Sequence, residues 1–288
     1  MKYMGGLVSI IIPTYNRQDF IGCAIESCLN QTYKDIEIII IDDGSTDNTK
    51  NIIDGYIDKN ENKIKYIVKE NSGVSSSRNI GIKLSKGEFI QFLDSDDFME
   101  ETKVEKHVRL LKDNPSIFGV FSGTIYYKEG ISNEVFRNLC KFKGSFYQVL
   151  IKGNCIPIHS IITRRTEMYF DENMRCYEDW DYWLRALKNK QISYIDEYLN
   201  YVNIHKNNTS KFRKEMTLGE ICILKKLESK GEFLGIIKYS LFTKYYAIEK
   251  KKSLSYLFQA IKLDKFNIIR VVKFIITRVN NKNNDIYE

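Results

Sequence analysis

Apolar residues in the first part of the chain come in short blocks, and the polar stretches between them recur at regular places. Residues 7–12, Leu-Val-Ser-Ile-Ile-Ile, form a β-branched run ended by Pro13. That is the pattern of a buried parallel strand. Phe20, Ile21, Ala24, Ile25, Cys28 and Leu29 then recur at helical spacing, with Asp19 placed to cap the helix. The same alternation predicts strands over 36–41, 64–69 and 88–93 and helices over 46–57 and 73–84. Lys86-Gly87 reads as the glycine that closes the third helix. Such alternation predicts βαβ units around a parallel sheet. In sheets of this kind ligands bind beyond the carboxyl ends of the strands.

Further along, strands are expected over 118–127, 161–163 and 198–203, and a helix over 178–188. After residue 211 the pattern is helical only, with breaks near 230–231 and 251–253 and a polar, frayed end at 280–284. A hydrophobic fraction of 43% and a charged fraction of 28% exclude a disordered or fibrous chain. No apolar run approaches the roughly 18–20 residues that span a bilayer. Residues 1–7 lack the basic and apolar blocks of a signal peptide, so a cytoplasmic protein is expected.

The formal net charge is +7, and its position changes the picture. From residue 236 onward there are eleven basic and four acidic residues, while the rest of the chain is balanced. The surplus points to an anionic partner for the C-terminal region. Lysines there alternate with aromatic and aliphatic residues. This suits amphipathic helices on an anionic leaflet, or a helical bundle packed on the rest of the chain. No nucleic-acid motif accompanies the charge. The six cysteines contain no Cys-x-x-Cys pair and are expected to be buried, reduced thiols.

Three acidic groups carry candidate chemistry. Asp94-Ser95-Asp96 places two carboxylates one residue apart just past a buried strand. That is a hard oxygen site for Mg²⁺ or Mn²⁺, or else a charged turn. Asp42-Asp43-Gly44-Ser45 is a good turn sequence whose carboxylates can also accept hydrogen bonds from a base or ribose. Glu178-Asp179 at a helix start serves either the helix dipole or general-base chemistry. Trp180 and Trp183, one helical turn apart, fit a core. No dinucleotide fingerprint, P-loop or nucleophile elbow is present.

Four segments now occur in order: Val8-Ser-Ile-Ile-Ile-Pro-Thr-Tyr-Asn-Arg17, Ile41-Asp-Asp-Gly-Ser-Thr-Asp47, Asn71-Ser-Gly-Val-Ser-Ser-Ser-Arg-Asn-Ile-Gly81 and Phe92-Leu-Asp-Ser-Asp-Asp97. With Glu178-Asp-Trp-Asp-Tyr-Trp-Leu-Arg185, they make residues 8–205 resemble the family-2 glycosyltransferases. The resemblance implies the α/β GT-A fold with a mainly parallel central sheet, here followed by a C-terminal helical extension. It implies inverting transfer of a sugar from a nucleotide-diphosphate donor, UDP-sugars being the commoner choice, with Mn²⁺ or Mg²⁺ as cofactor. The acceptor would be a glycan or lipid-linked glycan in bacterial surface polysaccharide synthesis, such as capsule, at the inner face of the plasma membrane.

Carried over residue by residue, Pro13, Thr14 and Tyr15 would line the base pocket, with Tyr15 stacking on the ring. Asp43 would hydrogen-bond the base with Asp42 close by, and Arg78 would reach the base or ribose. Asp94 and Ser95 would hold the ribose or metal side, and Asp96, with Asp94 and His205, would ligate the ion. Asp179 would be the base, with Glu178, Trp180 and His159 on the acceptor side. The expected division is residues 1–98 for the nucleotide, 99–210 for the acceptor and 211–288 for the basic helices. Two other readings stand: a non-catalytic sugar-nucleotide or glycan-binding subunit, and a sugar nucleotidyltransferase. The latter needs a glycine-rich basic phosphate loop, which residues 13–17 do not supply.

Overall fold

The computed structural model describes residues 4–128, 134–205, 213–231, 233–246, 248–264 and 269–270. The chain divides into two compact units, residues 1–209 and 210–288. The first unit opens with β1 (Met4–Thr14), α1 (Ile21–Leu29), β2 (Ile36–Asp42), α2 (Thr49–Asn60), β3 (Ile64–Val68), α3 (Val74–Leu84) and β4 (Gly87–Phe92). These four strands lie in the order β3-β2-β1-β4, all parallel. Alternation decides which residues face which layer. Ile10, Ile12, Ile38 and Ile40 cluster with Ile21, Ala24 and Ile25 of α1 and with Ile53 of α2. Ile11 meets α3, and Gly81 is the residue that lets that helix approach: a Cβ there would lie 2.3 Å from Ile11 Cγ2. Each fully buried aliphatic side chain stabilises this packing by about 1.5–3 kcal/mol.

The unit continues with β5 (Phe98–Met99), α4 (Lys103–Asp113), β6 (Ile117–Lys128), β7 (Glu134–Asn138), α5 (Phe146–Leu150), a 3₁₀ turn (Ile158–Ser160), β8 (Ile161–Arg164), α6 (Glu178–Ala186) and β9 (Gln191–Ile204). The sheet extends from β4 through β8, β6 and β9 to β5, with β7 paired to β6. Strand β8 runs antiparallel to both neighbours, while β6 and β9 are parallel. One continuous sheet therefore carries both halves, and β4 is the strand at which its parallel block ends.

Several local expectations fail for identifiable reasons. Helix α1 is entered through Phe20, with no side-chain cap. Asp19 therefore does not cap it. Gly87 opens β4 instead of closing α3, whose C-cap is the extended Ser85. The glycine is needed there because a Cβ would sit 2.7 Å from Leu7 O and from Ser9 N of β1. Strand β9 begins seven residues earlier than its apolar pattern suggests, because residues 191–198 are only half buried or exposed. The break expected at 251–253 falls inside a helix. Of the cysteines only Cys28 is buried; Cys23 and Cys222 are exposed and the other three are intermediate.

The second unit contains α7 (Arg213–Ser229), α8 (Leu234–Tyr246) and α9 (Lys250–Leu263). Ile237, Leu241 and Phe242 of α8 and Ala260 of α9 are buried. The Ser253 hydroxyl donates to Phe242 O (3.0 Å), Tyr245 stacks on Tyr256 (5.3 Å between centroids), and Lys244 pairs with Glu220 (2.5 Å). No described helix is long and apolar enough to cross a membrane. The polar end expected to fray, 280–284, lies outside the described residues.

Candidate active site

The polar ends of β1 and β2 are laced together. The register pairs Pro13 with Ile41 and Thr14 with Asp42, and the Asp43 amide donates to Thr14 O (2.8 Å). Beyond them the Asn16 amide donates to Ser45 Oγ (2.9 Å), and Asn16 Oδ1 accepts from the Thr46 amide (2.8 Å). Asn16 takes a left-handed conformation (φ 49°), which asparagine tolerates better than most residues and which turns the chain away from the strand. Tyr15, next to it, is 44% exposed.

Asp42 and Asp43 are both buried. Asp42 accepts from the Ser45 amide (2.8 Å) and the Tyr66 hydroxyl (2.6 Å). Asp43 accepts from the Ser72 and Gly73 amides (2.8 Å each) and from the Lys69 ammonium. It thus fixes the loop that leads into α3. A carboxylate offers about four acceptor positions. Among the described residues the Asp43 carboxylate has three partners and that of Asp42 two, which leaves one acceptor position on the first and two on the second.

Arg78, expected at the base or ribose, is buried under the site instead. Its two terminal nitrogens donate to Asp94 Oδ1 and Glu178 Oε1, each at 2.8 Å. Burial opposes the charge, but the two carboxylates outweigh it and push the guanidinium above its ordinary pKa. The arginine therefore ties the Asp94 loop to the start of α6. Glu178 is correspondingly a partner of this bridge.

Helix α6 starts after Tyr177, which is left-handed (φ 58°), and its first turn carries Glu178, Asp179 and Asp181. The amide end of a helix favours negative charge there. Asp179 Oδ2 accepts from Asn154 Nδ2 (2.8 Å), and Oδ1 accepts from the Trp180 amide (2.7 Å). Burial, and then the charge of Glu178, raise its pKa to about 7, against the opposing pull of Asn154 and Arg78. Such a carboxylate is poised to take a proton near neutrality. Trp180, expected beside the acceptor, is a core residue whose indole donates to Leu150 O (2.8 Å).

Asp96 and His205 meet, although they are 109 residues apart: His205 Nε2 lies 2.8 Å from Asp96 Oδ2. The imidazole also stacks on Phe20 (4.8 Å), and Arg17 Nε approaches Asp96 at 3.4 Å. Ligand atoms about 2.1 Å from an octahedral ion lie roughly 3 Å apart when adjacent. Carboxylate and imidazole at this spacing therefore fit a hard or borderline divalent ion, with Asp94 on the same loop. Asp94, Asp97 and His159 form a second grouping, their ligand atoms within 4.8 Å of one another. That grouping is more enclosed. His159, expected on the acceptor side, is 2% exposed and faces Asp97, Nδ1 to Oδ2 at 3.1 Å. Ser95 is buried between the two aspartates.

Sequence reasoning missed Asn154, Phe20 and Asp97. Only Asp97 left a signal, as the fourth residue of the Asp94–Asp97 run. Asn154 and Phe20 act through contacts that no local pattern announces.

Comparison with known proteins identifies the family and the fold. The model for "Glycosyl transferase family 2" matches residues 9–172. An uncharacterized glycosyltransferase of Haemophilus influenzae is 31% identical over 250 residues, covering 85% of this chain and 98% of that one. The Escherichia coli protein WfaP, named a UDP-Glc:alpha-D-GlcNAc-diphosphoundecaprenol beta-1,3-glucosyltransferase, is 31% identical over 84% of this chain and 93% of its own. An uncharacterized glycosyltransferase of Rickettsia felis is 37% identical over 68% of this chain, which spans only 33% of that relative. Among solved structures, S. aureus TarS residues 1–349 in complex with UDP-GlcNAc superposes with a TM-score of 0.65 at 19% identity, covering 86% of this chain and 75% of that one. The mannosyltransferase PcManGT of Pyrobaculum calidifontis, in complex with GDP-Man and Mn²⁺, gives 0.62 at 15% identity over 94% and 79%. The fold is accordingly GT-A, and the chain belongs to glycosyl transferase family 2.

Proposed function

We propose that this chain is an inverting, metal-dependent glycosyltransferase that moves a sugar from a UDP-sugar to a lipid-linked glycan in bacterial surface polysaccharide synthesis. The observation that carries the reading is Asp179: a buried carboxylate with its pKa raised to about 7, joined through Glu178 and Arg78 to the Asp94 loop. The acceptor hydroxyl must lose a proton as it attacks, and a positioned carboxylate takes it, typically contributing about 10²–10⁴-fold. Attack from the face opposite the leaving group inverts the anomeric centre in one step. Asn154 orients Asp179, and Glu178 raises its basicity.

On the donor side Tyr15 stacks on the base, and Pro13 and Thr14 form the wall beside it. Asp42 and Asp43 accept from the base with their remaining lone pairs. Asp94 and Ser95 hold the ribose side. Asp96 and His205, with Asp94, would hold Mn²⁺ or Mg²⁺, and a bound ion supplies a Lewis acid to the departing diphosphate. The named activity of WfaP and the UDP-GlcNAc bound to TarS support the UDP-sugar and the lipid-diphosphate acceptor. The basic C-terminal helices would hold the enzyme at the inner membrane face, where such an acceptor resides.

The test is thermal unfolding of wild type and Asp179→Asn with UDP, GDP, CDP and their sugars, each with Mn²⁺ and with EDTA. A ligand at a hundredfold excess over its Kd adds about 2.7 kcal/mol, or roughly 5–10 °C for a unit of this size. We expect a Mn²⁺-dependent shift with UDP in both proteins, and UDP release from the matching sugar nucleotide by wild type alone. Absence of any nucleotide shift sinks the donor assignment. Equal turnover by the variant removes Asp179 from the mechanism, and nucleotide binding without turnover by either protein leaves a binding subunit as the better reading.

A further inference from the structure

We propose that His159 is a positioning residue: through Asp97 it holds β9 in the placement that brings His205 against Asp96. The inference rests on the reading of Asp96 and His205 as ligands of a divalent ion.

The 3₁₀ turn that carries His159 is fixed from two other elements. Its backbone carbonyl accepts from Lys103 Nζ of α4 (2.5 Å) and from Gln91 Nε2 of β4 (2.8 Å). Lys103 Nζ also donates to Gln91 Oε1 (2.8 Å), and His107 Nδ1 lies 2.7 Å from Lys103 O. Lys103, His107 and His159 are all buried. The turn is thus anchored in the core, with imidazole Nδ1 3.1 Å from Asp97 Oδ2, a close polar contact that is not an aligned hydrogen bond.

Asp97 distributes that anchorage. Its amide donates to Asp94 O (3.1 Å), which sets the turn of the aspartate loop. Its other carboxylate oxygen accepts from the Asn203 amide (3.1 Å). His205 follows two residues later and meets Asp96. One buried side chain therefore ties the loop bearing Asp94 and Asp96 to the strand bearing His205. A buried carboxylate stripped of a partner loses stabilisation that water cannot restore. Loss of His159 would release Asp97 and, with it, the end of β9. None of these contacts involves Thr14, Tyr15 or Asp43.

The test is Mn²⁺ titration in the presence of UDP, read as free Mn²⁺ by electron paramagnetic resonance, together with UDP affinity in EDTA. Partners behind metal ligands typically contribute about 10–100-fold in metal affinity. We expect His159→Ala to weaken Mn²⁺ by that factor while UDP affinity in EDTA stays at the wild-type value. His159→Gln, which keeps an N–H for Asp97 but no imidazole, should remain within about threefold of wild type. Unchanged Mn²⁺ affinity in His159→Ala overturns the proposal. So does an equal loss of UDP affinity in EDTA, which marks a purely structural role. His159→Gln as defective as His159→Ala would make His159 itself a ligand and overturns it as well. Failure of wild type to bind Mn²⁺ removes the metal reading and this proposal together. Wild-type binding matched by His159→Ala removes only the positioning role.

Discussion

Asn154 reaches Asp179 across 25 residues of sequence and donates to the oxygen that the helix backbone leaves free. That single bond makes a prediction about pH. As the proposed base, Asp179 would act only when ionised, and its pKa is raised to about 7 by burial and by Glu178. Turnover should therefore climb as pH rises through about 7 and level off above it. The Asn154 bond favours the ionised form, so Asn154→Ala should move the climb to higher pH. A hydrogen bond to a charged group is worth about 1.5–3 kcal/mol, so the displacement should be on the order of one pH unit. A pH–rate profile checks this; an unmoved limb would assign the limb to another group. The acidic start of α6 was legible in the sequence because acidic residues opening a helix are a recognisable pattern. Asn154 was not, because it sits in an irregular turn and its role exists only once α6 is folded beside it. Trp180 and His159 show the reverse: the resemblance set them on the acceptor side, and packing buries them.

At the level of strands and helices, the apolar runs that end in acidic residues were readable because a buried parallel strand has no polar face to blur its limits. The start of β9 was not, since its first residues pair on the β6 side while their side chains meet solvent. Gly87 shows how a local rule misleads. A glycine after a helix suggests a cap, yet here the requirement comes from β1. Gly87→Ala places a methyl 2.7 Å from two backbone atoms, a clash that typically costs about 1–3 kcal/mol. The melting temperature should fall by roughly 3–10 °C. Gly55→Ala in α2 meets nothing within 4 Å and should hold or raise it. Equal effects at the two sites would show that backbone approach is not what selects glycine at 87.

For the whole molecule, charge is the property that separates the two units. The basic surplus lies from residue 236 onward. On α9, Lys251, Leu254, Phe258 and Lys262 are all exposed, Phe258 by 71%. Spacings of three, four and four place them along one helical face. An apolar ridge flanked by lysines suits an anionic interface. The full chain should sediment with vesicles containing phosphatidylglycerol and not with phosphatidylcholine alone. Binding should fall in about 0.5 M salt and with Phe258→Asp. No sedimentation with either vesicle type would argue for helices that serve only to pack, and equal sedimentation with both would remove the anionic preference.

The position of β9 in the sheet has a consequence for how the protein is made. Although it is the last strand of the first unit in sequence, it lies inside the sheet, between β6 and β5. A ribosome must therefore deliver residue 201 before β5 has a strand partner, and residue 204 before β6 is paired along its whole length. Until then a nascent chain carries an open sheet edge, and His205 is among the last residues of the first unit to arrive. The strand that completes the sheet leads directly to the residue that meets Asp96.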